Sequence, residues 1–165
     1  MYASPVASPS LRRPPRVDAA AAVLSLAGDL PQPQRFSLAQ VRAFERHELG
    51  ALQVDCFSGR PIASVKSCAG IRLVDLLDEA GLSTMCRAER KRRIVIAEGE
   101  DAYRAIFSWN ELYNTPIGPR VLVLYERDGL PLDAHLGPLC LLSAADAHLG
   151  PRHLRQLLRI EVRRL

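Results

Sequence analysis

The sequence predicts an α+β domain of mixed short β-sheets with a few short helices. Strand-length apolar runs recur at 94–97, 121–125 and 139–142, each bounded by polar or turn residues. Segments with helical spacing are short, as at 37–44 and 73–80. The two kinds of segment mix without a strand–helix–strand rhythm and without an internal repeat, which argues against a parallel α/β sheet. At 165 residues the chain has the size of one domain, able to bury a core without disulfides or a structural metal.

Residues 1–22 read as a disordered or extended N-terminal tail, rich in proline, serine and alanine, ahead of a domain over 23–165. The stretch Val23 to Gly28 alternates like a strand and stops at Gly28-Asp29; Pro31 to Gln34 is a loop. Ser37 is an N-cap for a helix through Leu38, Val41 and Phe44. Ala51 to Val54 forms a strand that delivers Cys56, and the chain is then irregular from the Gly59-Arg60-Pro61 turn to about Gly70. Leu73 to Ala80 is an amphipathic helix closed by Gly81. Ile94 to Ala97 is a strand with a hairpin partner over 101–107, and Ser108 caps a brief helix through Trp109 and Leu112. Val121 to Tyr125 is the most strand-like run, turning at Arg127-Asp128-Gly129; Leu139 to Leu142 is another strand. Pro151 to Leu158 suits a helix with Leu154, Leu157 and Leu158 inward and Arg152, Arg155 and Arg159 on another side, before a closing strand over 160–162.

The net charge of +4 is unevenly spread. Arg87, Arg90, Lys91, Arg92 and Arg93 face only Glu89 within one run, and Arg152, Arg155, Arg159, Arg163 and Arg164 face only Glu161 within another. Two compact basic runs on an otherwise acidic body suggest a local anion site. No aromatic-interleaved basic motif accompanies them, so nucleic acid is not the expected partner. No stretch approaches the ~18 apolar residues of a membrane span. The start lacks a signal-like apolar core, so a cytoplasmic chain is expected, or a periplasmic one if an export signal has been lost or removed.

Cys56 ends an apolar run, just before a Ser-Gly turn and Arg60, where a loop can expose a thiol and positive charge can hold it as thiolate. The competing reading is a small buried hydrophobe, which is the expectation for Cys140 between leucines. Cys68 and Cys86 have no visible role, and no Cys-x-x-Cys pair suggests structural zinc. His148 and His153 are spaced as metal ligands can be, but no third ligand stands nearby. Tyr103 and Trp109 read as core and edge packing.

The order of the segments resembles a known family. The pieces are 26–31 (LAGDLP), 36–41 (FSLAQV), 54–59 (VDCFSG), 70–77 (GIRLVDLL), 101–103 (DAY), 107–112 (FSWNEL), 128–132 (DGLPL), 135–139 (HLGPL) and 158–162 (LRIEV). Together they are similar to the molybdopterin-binding oxidoreductase domain of the sulfite oxidase type, in its small single-domain bacterial form. The resemblance implies that fold and one molybdenum–molybdopterin cofactor. Cys56 falls at the position of the metal ligand, with Arg60 as a further catalytic contact. His135, Arg152 and Arg155 fall where the family meets the cofactor and its phosphate. It also implies a small anionic or oxo-acceptor substrate and a separate electron-transfer protein as partner. The alternative is a cofactor-free descendant serving as a binding or accessory module. Cys140 stands where the family usually carries an arginine toward the anionic substrate, and Phe57-Ser58-Gly59-Arg60 replaces the asparagine and paired arginines of the large enzymes.

Overall fold

The computed structural model describes residues 22–56 and 58–165; the expected tail, but for Ala22, lies outside them. The elements in order are β1 (Leu24–Gly28), β2 (Gln34–Phe36), α1 (Leu38–Arg42), β3 (His47–Leu49), β4 (Leu52–Asp55), β5 (Pro61–Val65), β6 (Cys68–Arg72) and α2 (Leu73–Glu79). They continue with α3 (Arg87–Arg90), β7 (Arg93–Gly99), β8 (Arg104–Ser108), α4 (Trp109–Asn114), β9 (Val121–Arg127), β10 (Leu130–Pro131), β11 (Cys140–Ser143) and β12 (Leu157–Arg164). Mixed small sheets with few short helices are what the sequence predicts.

One sheet runs β2-β1-β12-β7-β8. Its β1–β12 pair is parallel and its other pairs are antiparallel. A second sheet runs β10-β9-β6-β3, with β11 also pairing β9. Strands β4 and β5 form a separate two-stranded hairpin.

Alternation along β9 explains the architecture. Val121, Val123 and Tyr125 enter the main core, shared with Leu26, Phe107, Leu76 and Ile160. Leu122 and Leu124 point the other way, into a smaller core with Val54, Val65, Cys68, Cys140 and Leu142. The second sheet is thus covered on both faces, which is why β9 reads as an unbroken apolar run. The β4–β5 hairpin closes the smaller core.

Both expected helix caps form. The Ser37 hydroxyl accepts from the Gln40 amide at 3.3 Å while Gln40 Oε1 accepts from the Ser37 amide at 2.9 Å. Ser108 and Glu111 repeat the arrangement at 3.1 and 2.7 Å. These reciprocal bonds satisfy amides that a helix start leaves unpaired.

Two expectations fail. The stretch 59–70 is not irregular: it holds β5 and the start of β6. Ala63 and Val65 pair with Val54 and Leu52 over the small core while Ile62 and Ser64 face outward, a half-buried pattern too short to stand out. The helix expected over Pro151 to Leu158 is absent. A 3-10 turn covers Gly150–Arg152, Leu154 bridges to Leu141 on β11, Gln156 takes φ +47°, and β12 begins at Leu157. Leu154 and Leu157 do go inward, but Leu158 is 47% exposed. Leucines spaced three and four apart mimic a helix here because a turn and a strand happen to bury the same residues.

Candidate functional site

A sizeable cavity among the described residues opens where loops from separate strands meet. Its volume is about 540 Å³, within the range of about 300–1,000 Å³ usual for small-molecule and cofactor sites. Ile62 and Ala63 of β5 form one wall and Asp101 and Tyr103 of the β7–β8 turn another. The end of β9 contributes Arg127, the 133–136 loop Asp133, His135 and Leu136, and the segment before β12 Gly150, His153 and Arg155.

Cys56 does not itself line this cavity; its backbone packs against Gly150, which does. Gly150 lines the cavity, and a Cβ on it would fall 2.3 Å from the Asp55 carbonyl oxygen and 3.2 Å from the Cys56 Cα. Only glycine allows the two loops to approach so closely. The cysteine follows β4 in a tight turn, where its carbonyl accepts from the Gly59 amide at 2.8 Å and its amide donates to the Arg60 carbonyl at 2.9 Å. Cys56 Sγ lies 2.7 Å from Ser58 Oγ. That hydrogen bond first, and then the backbone and charge of Arg60, hold the thiol below its ordinary pKa. Cys56 is half-buried and free.

The other cysteines differ in kind. Burial pushes the Cys68 thiol up to about 11 and the Cys140 thiol up to about 12. Both line the apolar floor of the small core beneath the hairpin, as expected for Cys140. Cys86 is exposed.

The expected cofactor residues separate into two groups. His135 and Arg155 both line the cavity and touch each other, Nε2 to a guanidinium nitrogen at 2.5 Å. Because arginine only donates, His135 Nε2 is the acceptor. Arg155 also stands 4.0 Å from Asp101. Arg152 does not line the cavity. Its guanidinium grips both carboxylate oxygens of Asp146, reaches Glu111 Oε1 at 3.1 Å, and lies 4.4 Å above the Phe107 ring. Burial works against the Asp146 and Glu111 charges, yet their hydrogen bonds, including those from Arg152, keep both below the usual carboxylate range. Arg152 therefore braces the segment that carries Gly150, and its fork is already filled by carboxylates; the phosphate-facing role expected for it has no donor geometry toward the cavity. Neither arginine lies on the expected α-helix: Arg152 ends the 3-10 turn and Arg155 follows it in irregular chain.

Sequence reasoning overlooked Arg127, Asp101, Asp133 and the cavity position of His153. Arg127 was legible only as the residue before an Asp-Gly turn. Tyr103, expected as edge packing, is 48% exposed on the cavity wall and ties it across to the Pro151 carbonyl at 2.7 Å. Asp133 Oδ1 accepts from the His135 and Leu136 amides at 2.9 and 3.0 Å, which shapes the loop that presents His135. Among the described residues no three His, Cys, Asp or Glu side chains gather as an all-protein metal cage requires. Nor, among them, is any helix long and apolar enough to cross a membrane.

Comparison with known proteins bears on this arrangement. A search of curated proteins found no match. Among solved structures, the sulfane dehydrogenase SoxCD from Paracoccus pantotrophus is similar with a TM-score of 0.63 and 19% sequence identity, over 85% of this chain and 37% of that one. At that identity the likeness establishes the fold, and the chain spans little more than a third of its neighbour's length. A family model described as the oxidoreductase molybdopterin binding domain matches residues 11–164. The resemblance read from the ordered sequence segments is thereby upheld: the chain belongs to the oxidoreductase molybdopterin binding domain family.

Proposed function

We propose that this domain binds a molybdenum–molybdopterin cofactor through the Cys56 thiolate and acts as an oxidoreductase on a small anionic or oxo-acceptor substrate. A separate electron-transfer protein completes the cycle. The observation that carries this reading is the position of Cys56: a half-buried thiol, held toward thiolate by Ser58, on a turn whose backbone packs against Gly150 in the wall of a cavity of cofactor size.

The residues present suit the group. One soft thiolate fits a metal whose other ligands come from the cofactor's own sulfur atoms. Arg155 and Arg127, the two arginines in the cavity wall, would meet its phosphate. When bound, the cofactor would supply two-electron redox chemistry and exchange of an oxygen atom. The chain's share is placement. The Cys56–Arg60 turn fixes the thiol, and the Ser58 hydrogen bond favours its thiolate form. Arg152 holds the Gly150 wall against it, and Ile62 with Leu136 keeps part of the cavity apolar. Arg60 adds positive charge beside the sulfur.

The test is metal and pterin analysis of protein purified from a host that makes the cofactor. Stoichiometric molybdenum, lost in Cys56→Ser with the fold intact, is the expected result. A folded wild-type protein that never acquires molybdenum would refute the enzyme reading and leave a cofactor-free binding module.

A further inference from the structure

His153 stands out among the cavity residues. Its neighbours in the wall are anchored: Arg155 to His135, Tyr103 to the Pro151 carbonyl, Arg127 to the Ser64 carbonyl at 3.3 Å, and Asp133 to two loop amides. The His153 ring makes no hydrogen bond among the described residues, although it lines both the main cavity and, with Arg127, the apolar void beneath it. Arg155 approaches it from its own segment, Arg127 from β9 and His135 from the 133–136 loop. All three oppose a positive charge on the ring, and burial opposes it most. The acidic groups in the wall are Asp133 and Asp101; the Asp133 carboxylate is engaged with loop amides, and the Asp101 carboxylate accepts from the Tyr103 amide and faces Arg155. Tyr103 is the remaining titratable neighbour. β5 contributes only Ile62 and Ala63.

We propose that His153 is a proton-coupled anion contact: it takes up one proton as a small oxyanion settles between Arg127 and Arg155, so the cavity binds anion and proton together. The reason is mutual. An anion offsets the two guanidinium charges that add to burial in opposing protonation of the imidazole, and the resulting imidazolium becomes a third charge-assisted donor to that anion. The proton comes from solvent through the cavity mouth, forms an N–H bond on the ring and leaves no other group changed. Linkage fixes the sign. The free protein carries a neutral ring above the ordinary imidazole range and the complex a protonated one, so affinity falls as pH rises, by up to about tenfold per pH unit for one proton. This does not depend on the molybdenum reading. The oxyanion is either free or the terminal phosphate of a larger ligand.

The probe is inorganic sulfate, whose charge is constant between pH 5.5 and 8. Calorimetric titration of the full chain in buffers of different ionisation enthalpy counts the protons taken up. Nitrogen-15 spectra of the histidine rings read His153 protonation directly with and without sulfate. Up to one proton per anion is expected, together with a His153 signal that becomes protonated. His153→Gln should bind more weakly, with no uptake and no pH dependence, and Arg127→Met should lose most of the binding. Sulfate binding without proton uptake, an unchanged His153 signal, uptake that survives in His153→Gln, or no saturable binding would each overturn the proposal. Protein measured as loaded and unloaded with molybdenum separates the two sources. Binding only when unloaded identifies the subsite with the cofactor's phosphate, and binding in both states identifies a free oxyanion. Should His153→Gln fail to fold, the wild-type spectra alone decide.

Discussion

The two cores on either side of the β3-β6-β9-β10-β11 sheet are built differently, and the site belongs to the weaker one. The main core is closed by a second five-stranded sheet and helices, and it buries Phe107, Trp109 and a run of leucines. The smaller core is covered by the β4–β5 hairpin together with Leu132 and Leu149, and it holds far fewer buried side chains, among them Leu122, Leu124 and Leu142 with Val54, Val65 and two cysteines. Apolar area buried sets most of the driving force, so the hairpin is held by much less than the rest. Yet it is the hairpin that carries Cys56 and Ile62. The larger core and the proposed site thus fall on opposite faces of one sheet, as expected where binding elements come from the less stable end of a fold.

The largest expected break in that contrast is Phe107→Ala. Its ring is fully buried, and losing it should cost about 3–5 kcal/mol in a urea unfolding measurement. Val65→Ala, on the hairpin side, should cost only about 1.5 kcal/mol for its lost methyl groups, and should raise amide exchange in the hairpin before it moves the global transition. If both variants unfold the whole chain equally, the two cores are one cooperative unit.

Arg152 and Arg155 offer the same contrast within four residues of sequence. Arg152→Met leaves Asp146 and Glu111 without their cation and should cost about 1.5–3 kcal/mol, since the side chain is only 20% exposed. Arg155→Met should stay within about 0.5 kcal/mol, because Arg155 lies at the surface of the cavity. The pH dependence has a definite sign. The Asp146 and Glu111 carboxyls are depressed in the folded state, so their contribution is fully present above the ordinary carboxylate range and is lost as pH falls through their lowered values. Thermal midpoints measured down to acid pH should show this loss in the wild type and a flatter profile in Arg152→Met.

Gly150→Ala sharpens the comparison at its seam. An added methyl would press on the Asp55 carbonyl, so the hairpin should lift and destabilise by about 1–3 kcal/mol, with faster alkylation of Cys56. The smallest effect should come from Ser58→Ala. Loss of the 2.7 Å hydrogen bond returns the thiol toward its ordinary pKa, and alkylation near neutral pH should slow with no change in melting temperature.

What the sequence made legible follows the same division. The main-core elements announce themselves: β7 and β9 by continuous apolar runs, α1 and α4 by serine caps, α2 by its closing Gly81, which takes φ +87°. Around the smaller core the signals weaken. β5 is half exposed and starts with proline, and the leucine spacing of 154–158 imitates a helix until Gln156 turns the backbone over. Cys56 stands out in the sequence because a strand end and a Ser-Gly turn are local features, and the structure does place it after β4 in a tight turn. The cavity does not stand out, since Arg127, Asp133 and His153 converge only through pairings among β9, β11 and the approach to β12.

The placement of β12 has a consequence for how the molecule comes to exist. Residues 157–164 lie between β1 and β7, parallel to the first strand and near the middle of its sheet. While a ribosome is still making the chain, β1 and β7 have no partner on their facing edges, and such unpaired strands invite wrong associations. The main core can seal only after residue 164 has cleared the exit tunnel, so assembly is a late, nonlocal event. Nascent chains stalled short of β12 should be protease-sensitive throughout, including strands translated more than a hundred residues earlier.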